Sequence, residues 1–397
     1  MNGQPRPRPR LVWAFGVAAF VLAALAALQI FLAKQPYGTD LWAYVLAGRH
    51  LLAGEALYPP DPVVPYGPFG EYHYAPPVAV PFVLLAPLPF WLATAISIGL
   101  NTGIAAAIGF HVIRPLPRDA QPWAAAGYVL FLPTILDIVL GQLNLLTVAL
   151  CLLAWSLRQR PVPGGMILAI AIGVKLLPIT LVLFYLAAGR VRLVLWTAIT
   201  GAAGLLLTAI FFARDLPPYI AMLFELKDSH WAADLIANTP PASLAGFLGS
   251  PAGTAVLPIA AIATALVGGL VAGRDRRAET HLHHLALAYA PYLASFGLLW
   301  FTYLVTTLPL LASTLEWALR GPRRTTRVSL TAALALSWLL LQVVGESDDL
   351  VPVGAHLLGL VLLLTVGILV LAVARGEPQG RSLQTGQPVA GSAPARS

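Results

Sequence analysis

Residues 11–33, LVWAFGVAAFVLAALAALQIFLA, form an apolar run without a single charged side chain. About 20 such residues are enough to cross the hydrocarbon core of a bilayer as an α-helix. The run is longer than the apolar part of a cleaved signal peptide, and it follows Arg6, Arg8 and Arg10. We therefore predict an uncleaved transmembrane helix with its N-terminus in the cytoplasm, because flanking basic residues stay on that side.

The composition extends this interpretation to the whole chain. Of the 397 residues, 58% are hydrophobic and only 10% are charged, and the mean hydropathy is +0.78. A soluble domain carries roughly 25% charged residues, so a soluble, disordered or collagen-like chain is excluded. The net charge of +7 comes from short basic clusters between apolar runs, which indicates membrane topology and not nucleic-acid binding. Cys151 is the single cysteine, so no disulfide or thiolate metal site is expected.

The apolar runs predict an all-α polytopic membrane protein with about twelve transmembrane helices. A topology with both termini in the cytoplasm places most of the 24 Lys and Arg inside and most of the 17 Asp and Glu outside. Residues 1–375 then form a single transmembrane domain with outer loops 34–90 and 214–252, and residues 376–397 form a disordered cytoplasmic tail. The later predicted spans are 91–113, 122–138, 143–157, 164–174, 176–188, 191–213, 253–272, 285–299, 301–318, 328–345 and 353–374.

Residues 76–90, PPVAVPFVLLAPLPF, are apolar but contain five prolines. Proline lacks a backbone donor, which argues against an ordinary lipid-exposed span. We predict a re-entrant or interfacial helix on the outer side. With this choice the basic residues of the next two turns, at 114–118 and 158–160, remain cytoplasmic.

Lys175 is the only Lys or Arg embedded in an apolar run. The flanking segments 164–174 and 176–188 are each short for a crossing. They form either a broken hairpin with Lys175 near its outer tip or one tilted helix with Lys175 at mid-depth. An ionisable group in such a place is a functional hypothesis, although its ammonium can also extend to the nearby interface. A cation at the outer edge suits a lipid-linked phosphate.

Asp40 follows the first predicted span by a few residues. Thr39 or Asp40 is suited to cap a helix that runs to about Ala53, which is the simplest explanation of this aspartate. The functional alternative is a carboxylate held at the membrane surface as a general base, which needs an adjacent hydroxyl substrate and partial desolvation.

Two further polar groups fall on the predicted outer side. Tyrosines in the segment 72–74 offer hydroxyl donors and flat faces suited to a sugar, although tyrosines are also common at membrane interfaces. Asp137, Gln142 and Asn144 lie in or near the turn between the third and fourth spans. Polar side chains there raise the free energy of the folded protein unless they contact water or other polar groups. We predict that this turn lines a cavity. The candidate residues of these groups are Tyr72, His73, Tyr74, Asp137, Gln142 and Asn144.

The second outer loop begins with Arg214 and Asp215 and closes near Asn238 and Ser243. Arg214 is suited to bind a phosphate, and a surface ion pair with Asp215 is the alternative. The polar residues at the end of the loop are further candidates for contact with the substrate.

Trp300 and Tyr303 lie at the outer junction of two later spans, where an aromatic belt is the simple explanation and sugar binding the functional one. A basic cytoplasmic loop contains His281, His283 and His284. Apart from Glu279, no carboxylate or cysteine lies at the right spacing in the sequence to complete a metal site, so none is predicted.

Four short motifs occur in a particular order along the chain: Asp40 after the first span, Tyr-x-Tyr-x-Pro-Pro at 72–77, Gly-Gln-x-Asn at 141–144 and Lys-x-x-Pro at 175–178. Together they resemble the GT-C integral membrane glycosyltransferases. The closest resemblance is to glycosyltransferase family 87, the polyprenol-phosphate-mannose-dependent α-mannosyltransferases, and it covers most of residues 11–320.

The resemblance implies a GT-C-like fold and an enzyme of a bacterial-type plasma membrane with its active site on the extracytoplasmic face. It implies a polyprenyl-phosphate sugar as donor, with mannose as the sugar, a lipid or glycan as acceptor, and inversion at the anomeric carbon. By the same resemblance Asp40 is the base and Lys175 binds the donor phosphate. In this scheme we expect the tyrosines, Gln142 and Asn144 to orient the sugars. No cofactor and no metal are expected, and membrane lipids are the surrounding partners.

Two departures from the family pattern weaken the assignment of the substrate. Thr302 stands where the family often has a histidine in Trp-x-His-Tyr, and the arginine expected after Asn238 and Ser243 is absent. A transporter or lipid flippase is the competing class, since many spans and an embedded lysine also occur in carriers. A catalytically silent relative that binds lipid-linked sugar is the third possibility.

Overall fold

The computed structural model describes part of the chain, and that part contains helices and no strand, as predicted. Nearly all of the predicted first span, the end of the second outer loop, much of the spans predicted from residue 253 onward and the tail lie outside the described residues. The described residues are 38–58, 72–118, 120–228, 265–273 and 305–320, with isolated positions at 17, 21, 24, 262–263, 326, 328–329, 331–332 and 335–336.

From residue 76 to residue 228 the helices follow one another with short connections. Residues 265–273 are also helical. The helices with defined bounds are α1 (Thr39–Ala53), a 3-10 helix (Pro76–Leu84), α2 (Phe90–Ile113), α3 (Gln121–Val129), α4 (Leu132–Leu140), α5 (Asn144–Ser156), α6 (Pro161–Val174), α7 (Ile179–Ala187), α8 (Val191–Phe211), α9 (Leu216–Asp228) and α10 (Leu308–Arg320).

Two helices of the described region, α2 and α8, are long and apolar enough to cross a membrane. The pair α3 and α4 makes a third candidate if the two are counted as one bent span, while α5 and α6 are apolar but shorter. Many large apolar side chains of α8 are exposed, including Leu205, Leu206 and Phe211. Such a surface is suited to lipid or to other apolar helices.

The predicted single span at 122–138 is wrong in one respect, because it consists of two helices bent by 46°. The break falls at Leu130 and Phe131, directly before Pro133 near the start of α4. Proline has no N–H for the preceding turn and clashes with its carbonyl, so it ends the helix before it.

The chain also breaks at Lys175, and the alternative of one continuous tilted helix is wrong. Lys175 has an extended backbone, with φ −142° and ψ 133°, between the end of α6 and the start of α7. Pro178 precedes α7 and restricts the residue before it. The broken arrangement frees the Lys175 side chain from any helix surface and aims it at the neighbouring turn.

Basic turns and the polar turn lie at opposite ends of these helices. In the α7–α8 turn, Arg190 donates to Oε1 of Gln159 in the α5–α6 turn at 3.1 Å. The other ends of α5, α6 and α7 meet around Asn144 and Lys175, whose side chains are bonded. This segregation of charge is the pattern that the positive-inside rule produces.

The 3-10 helix packs closely against α1. A Cβ on Gly48 of α1 would lie 2.7 Å from the Phe82 carbonyl carbon and oxygen, so only glycine permits this approach. Arg49 donates from Nε to the Ala86 carbonyl at 3.0 Å, which ties the following turn to the same helix. Nine residues at about 2.0 Å each cannot cross a core of roughly 30 Å. The segment predicted at 76–90 is therefore a short helix followed by a turn, and its re-entrant or interfacial position on the outer side stays a prediction.

We expect Gly48→Ala to destabilise the protein by about 1–3 kcal/mol, because the new methyl overlaps the backbone of Phe82. The measurement is the thermal unfolding midpoint of purified protein in detergent. Gly99→Ala is the matched control, since a Cβ at Gly99 of α2 would meet nothing within 4 Å. Equal midpoints for both variants would contradict the close packing.

Candidate active site

Asp40 lies in the first turn of α1, but it does not cap the helix. Gly38 occupies the N-cap with a positive φ of 62°, and no side chain bonds to the free N–H groups there, so the capping explanation is wrong. The Gly38 N–H donates to the Val139 carbonyl at 3.1 Å. This bond ties the start of α1 to the end of α4 and brings Asp40 to the turn after α4.

The turn between α4 and α5 approaches α1 through a second glycine. Gly141 has φ 73°, and a Cβ on it would lie 2.7 Å from Cβ of Leu41. Glycine is required here for both reasons. The next residue, Gln142, is thereby placed beside the Asp40 carboxylate.

Gln142 is the centre of the polar cluster. Its Nε2 donates to Oδ2 of Asp40 at 2.7 Å. Its Oε1 lies 3.4 Å from the Tyr44 hydroxyl, 3.3 Å from the Tyr74 hydroxyl and 3.4 Å from Nζ of Lys175. One carboxamide thus joins the carboxylate, the ammonium and two phenols.

Lys175 is held by a second carboxamide. Its Nζ donates to Oδ1 of Asn144 at 2.5 Å, and Nδ2 of Asn144 donates to Oδ1 of Asp137 at 2.6 Å. The other oxygen of Asp137 accepts the Leu145 N–H at 3.1 Å. Asp137 and Asn144 are fully buried and Lys175 is 7% exposed. Asp137 is therefore a buried counter-charge that acts on Lys175 through Asn144.

The electrostatics suit Asp40 to accept a proton near neutral pH. Burial raises the pKa of Asp40 to about 6, against the opposing effects of the Gln142 hydrogen bond and the charges of Lys175 and His73. A general base works best when its pKa lies near the working pH. Asp40 is ionised above this value and still basic enough to take a proton.

Tyrosines form one wall of the cluster. The Tyr74 ring lies 5.1 Å from that of Tyr44, and Nζ of Lys175 is 5.4 Å from the Tyr74 ring centre. Tyr72 is buried and donates to the Ala75 carbonyl at 2.9 Å, so it supports the segment. Burial raises the pKa of Tyr58 and Tyr72, which therefore stay neutral.

Sequence reasoning missed Tyr44, although a signal was present. Tyr44 is four residues after Asp40 on α1, and this spacing puts both side chains on one face of a helix. It also missed Tyr58, which stacks on Tyr72 at 5.9 Å and on Tyr219 of α9 at 5.8 Å. Nothing local predicts these pairs, because they join distant segments.

Arg214 bonds at the other end of α1, away from Asp40. Its guanidinium donates to the Gly54 carbonyl at 2.9 Å and to the Glu55 carbonyl. The neighbouring Asp215 accepts the Leu57 N–H at 2.9 Å. These contacts join the residues just after α1 to the start of α9.

The remaining predicted site residues are placed as follows. His73 is half-buried and close enough to Asp40 to affect its charge. No group of three or more His, Cys, Asp or Glu within the described residues is placed to hold a metal. The predicted site residues that lie outside the described residues are Asn238, Ser243, Trp300 and Tyr303.

Comparison with known proteins gives one match. The profile of glycosyltransferase family 87 matches residues 72–290, more than half of the chain. This range includes Gln142 and Lys175, whereas Asp40 precedes it. No curated protein matches the chain, and no solved structure does.

Proposed function

The chain belongs to glycosyltransferase family 87, and from this we propose that it transfers mannose from a polyprenyl-phosphate donor to a lipid or glycan acceptor. The reaction takes place at the extracytoplasmic face of a bacterial-type plasma membrane. The observation that carries the proposal is the shared amide of Gln142, which bonds to both Asp40 and Lys175. A base and a cation are thus held in one cluster.

This pair matches the needs of an inverting transfer. Asp40 accepts the proton of an acceptor hydroxyl, and the oxygen of that hydroxyl forms a bond to the anomeric carbon of the donor sugar. The bond from that carbon to the phosphate oxygen breaks, and its electron pair leaves with the phosphate. Lys175 stabilises the charge that develops on the phosphate. Attack from the face opposite the leaving group converts a β-linked donor into an α-linked product.

The position of the cluster supports this chemistry at a membrane surface. It lies at the ends of α5 and α6 that are opposite the basic turns containing Gln159 and Arg190. Basic turns are retained in the cytoplasm, so the cluster is assigned to the outer side. The phosphate and sugar of a prenyl-phosphate donor lie at headgroup level there, with the tail in lipid. A carrier would instead place its polar groups near the bilayer midplane.

The proposal is tested by incubating purified protein in nanodiscs with radiolabelled polyprenyl-phosphate mannose and an extract of membrane lipids and glycans. We expect label to move to an acceptor, and α-mannosidase to release it. Polyprenyl-phosphate glucose and arabinose serve as competing donors. Transfer from none of the three would contradict the proposal, and movement of intact donor across sealed proteoliposomes without transfer would favour a carrier.

We expect kcat/KM to rise with pH through about 6, because Asp40 must be ionised to accept a proton. Below the midpoint the value falls about tenfold per pH unit. The measurement is transfer at low donor concentration from pH 4.5 to 8.5. Histidines titrate in the same region, so His73→Gln is the matched control. If kcat/KM of that variant no longer falls at low pH, this fall (the acid limb of the profile) belongs to His73, which would contradict the prediction.

A further inference from the structure

Gln142 lies between two groups with opposite hydrogen-bonding needs. An ionised carboxylate only accepts, and an ammonium only donates. The side-chain amide offers one of each, with Nε2 toward Asp40 at 2.7 Å and Oε1 toward Lys175 at 3.4 Å. Rotating the amide by half a turn would put two donors together, the NH₂ and the ammonium. It would also put two acceptors together, the amide oxygen and the carboxylate, so both hydrogen bonds would be lost.

Two tyrosines reinforce the same orientation. The hydroxyls of Tyr44 and Tyr74 both lie within hydrogen-bonding distance of Oε1, and they are 2.9 Å from each other. Their attachment does not depend on Lys175. If a donor phosphate draws the ammonium toward itself, the tyrosine hydroxyls still hold Oε1, and the amide NH₂ still points at Asp40.

We propose that Gln142 is a positioning residue, which holds the Asp40 carboxylate in its proton-accepting form and orientation and links it to the phosphate-binding Lys175. This inference rests on the proposed function for its catalytic meaning. It differs from the expectation that Gln142 orients a sugar. The amide is buried and its donor is directed at Asp40.

The charged groups facing Asp40 come from several elements. Lys175 lies at the α6–α7 break, His73 precedes the 3-10 helix, and Asp137 belongs to α4. The 3-10 helix carries no titratable side chain, and α2 carries only His111, near the end far from Asp40. Gln142 donates a side-chain hydrogen bond to Asp40 at 2.7 Å, and this bond acts on the pKa of the carboxyl group in addition to these charges. A bond to the ionised form favours ionisation.

The test replaces Gln142 with Met, which has a similar length but cannot hydrogen-bond in this way. We expect the acid limb of kcat/KM to move upward by about one pH unit. The loss at pH 6 is then about fivefold greater than the loss at pH 8.5, while the Kd for the donor changes less than threefold. Tyr74→Phe leaves the amide in place, removes one bond to Oε1, and is expected to move the limb in the same direction by less.

Other patterns of loss would overturn the inference. An equal loss at every pH would indicate packing alone, and a weaker donor Kd without movement of the limb would indicate contact with the sugar. Unchanged kinetics would show that Gln142 has no role in the transfer reaction. Size-exclusion elution and the unfolding midpoint show whether the Gln142→Met variant is folded. If it is misfolded, the pH dependence of kcat/KM in Tyr74→Phe decides the question instead.

A second readout does not need turnover. The infrared band of the protonated carboxyl group that Asp40→Asn removes is followed against pH in the resting protein. We expect its midpoint to be higher in Gln142→Met than in the unmodified protein. If no sugar is transferred by any preparation but this midpoint moves, the proposed function fails and the link between Gln142 and Asp40 stands. A midpoint that does not move overturns the link whether or not transfer occurs.

Discussion

Asp40→Asn is expected to lower kcat by about 10²–10⁴-fold, because the amide keeps the shape of the side chain but cannot take a proton from the acceptor. The fold should survive the change. The Asn oxygen can still accept the Gln142 amide N–H that now bonds to Oδ2 at 2.7 Å. The measurement is single-turnover transfer of labelled sugar with donor prebound, so that the chemical step is separated from binding.

Glu55→Gln provides the matched control for the loss of a carboxylate. Glu55 lies just after α1, its side chain is 64% exposed, and its carboxylate is 3.8 Å from the His50 ring. This variant is expected to keep its rate within about twofold, as exposed ion pairs contribute little. An Asp40→Asn protein that binds donor and transfers sugar at the normal rate would show that another group is the base.

Lys175→Met is expected to lower kcat/KM by about 10²–10³-fold, the usual effect of removing one group that stabilises a developing oxyanion. The donor Kd should weaken as well, because the proposed mechanism places the ammonium against the phosphate before and during transfer. Met fills similar space without the charge. Transfer kinetics and donor binding by scintillation proximity measure the two effects separately.

Arg190→Met is the control for the loss of a cation. Arg190 lies in the α7–α8 turn at the opposite end of the helices and bonds to Gln159. Its removal is expected to leave transfer unchanged. If Lys175→Met retains both donor affinity and rate, then Lys175 only neutralises the buried Asp137, and a different cation must bind the phosphate.

The helical segments of the first half were largely predictable from local sequence. Apolar length places α2 and α8, and proline positions place the short 3-10 helix at 76–84, because each effect depends on a few neighbouring residues. The bend within 122–138 was missed. The hydropathy of that run is continuous across Leu130 and Phe131, and Pro133 alone does not distinguish a helix start from a kink.

The candidate site was predictable as a set of residues but not as an arrangement. Order along the chain singled out Asp40, Gln142 and Lys175. Their roles were assigned separately, with Gln142 expected at the sugar. Arg214 was offered for phosphate, yet its guanidinium holds the loop carbonyls at the end of α1. Tyr44 was overlooked because its one signal, the four-residue spacing from Asp40, is shared by every pair of residues on one face of a helix.

Sequence by itself determined the membrane character, the all-helical class, the segregation of charge and the presence of a lysine embedded in an apolar run. These follow from hydropathy, charge and backbone chemistry, which act over short stretches. Only the tertiary structure decided that one amide stands between base and cation. Gln142 is 102 residues from Asp40 and 33 from Lys175, and contacts over such separations depend on how α1, α4 and the α6–α7 break pack together.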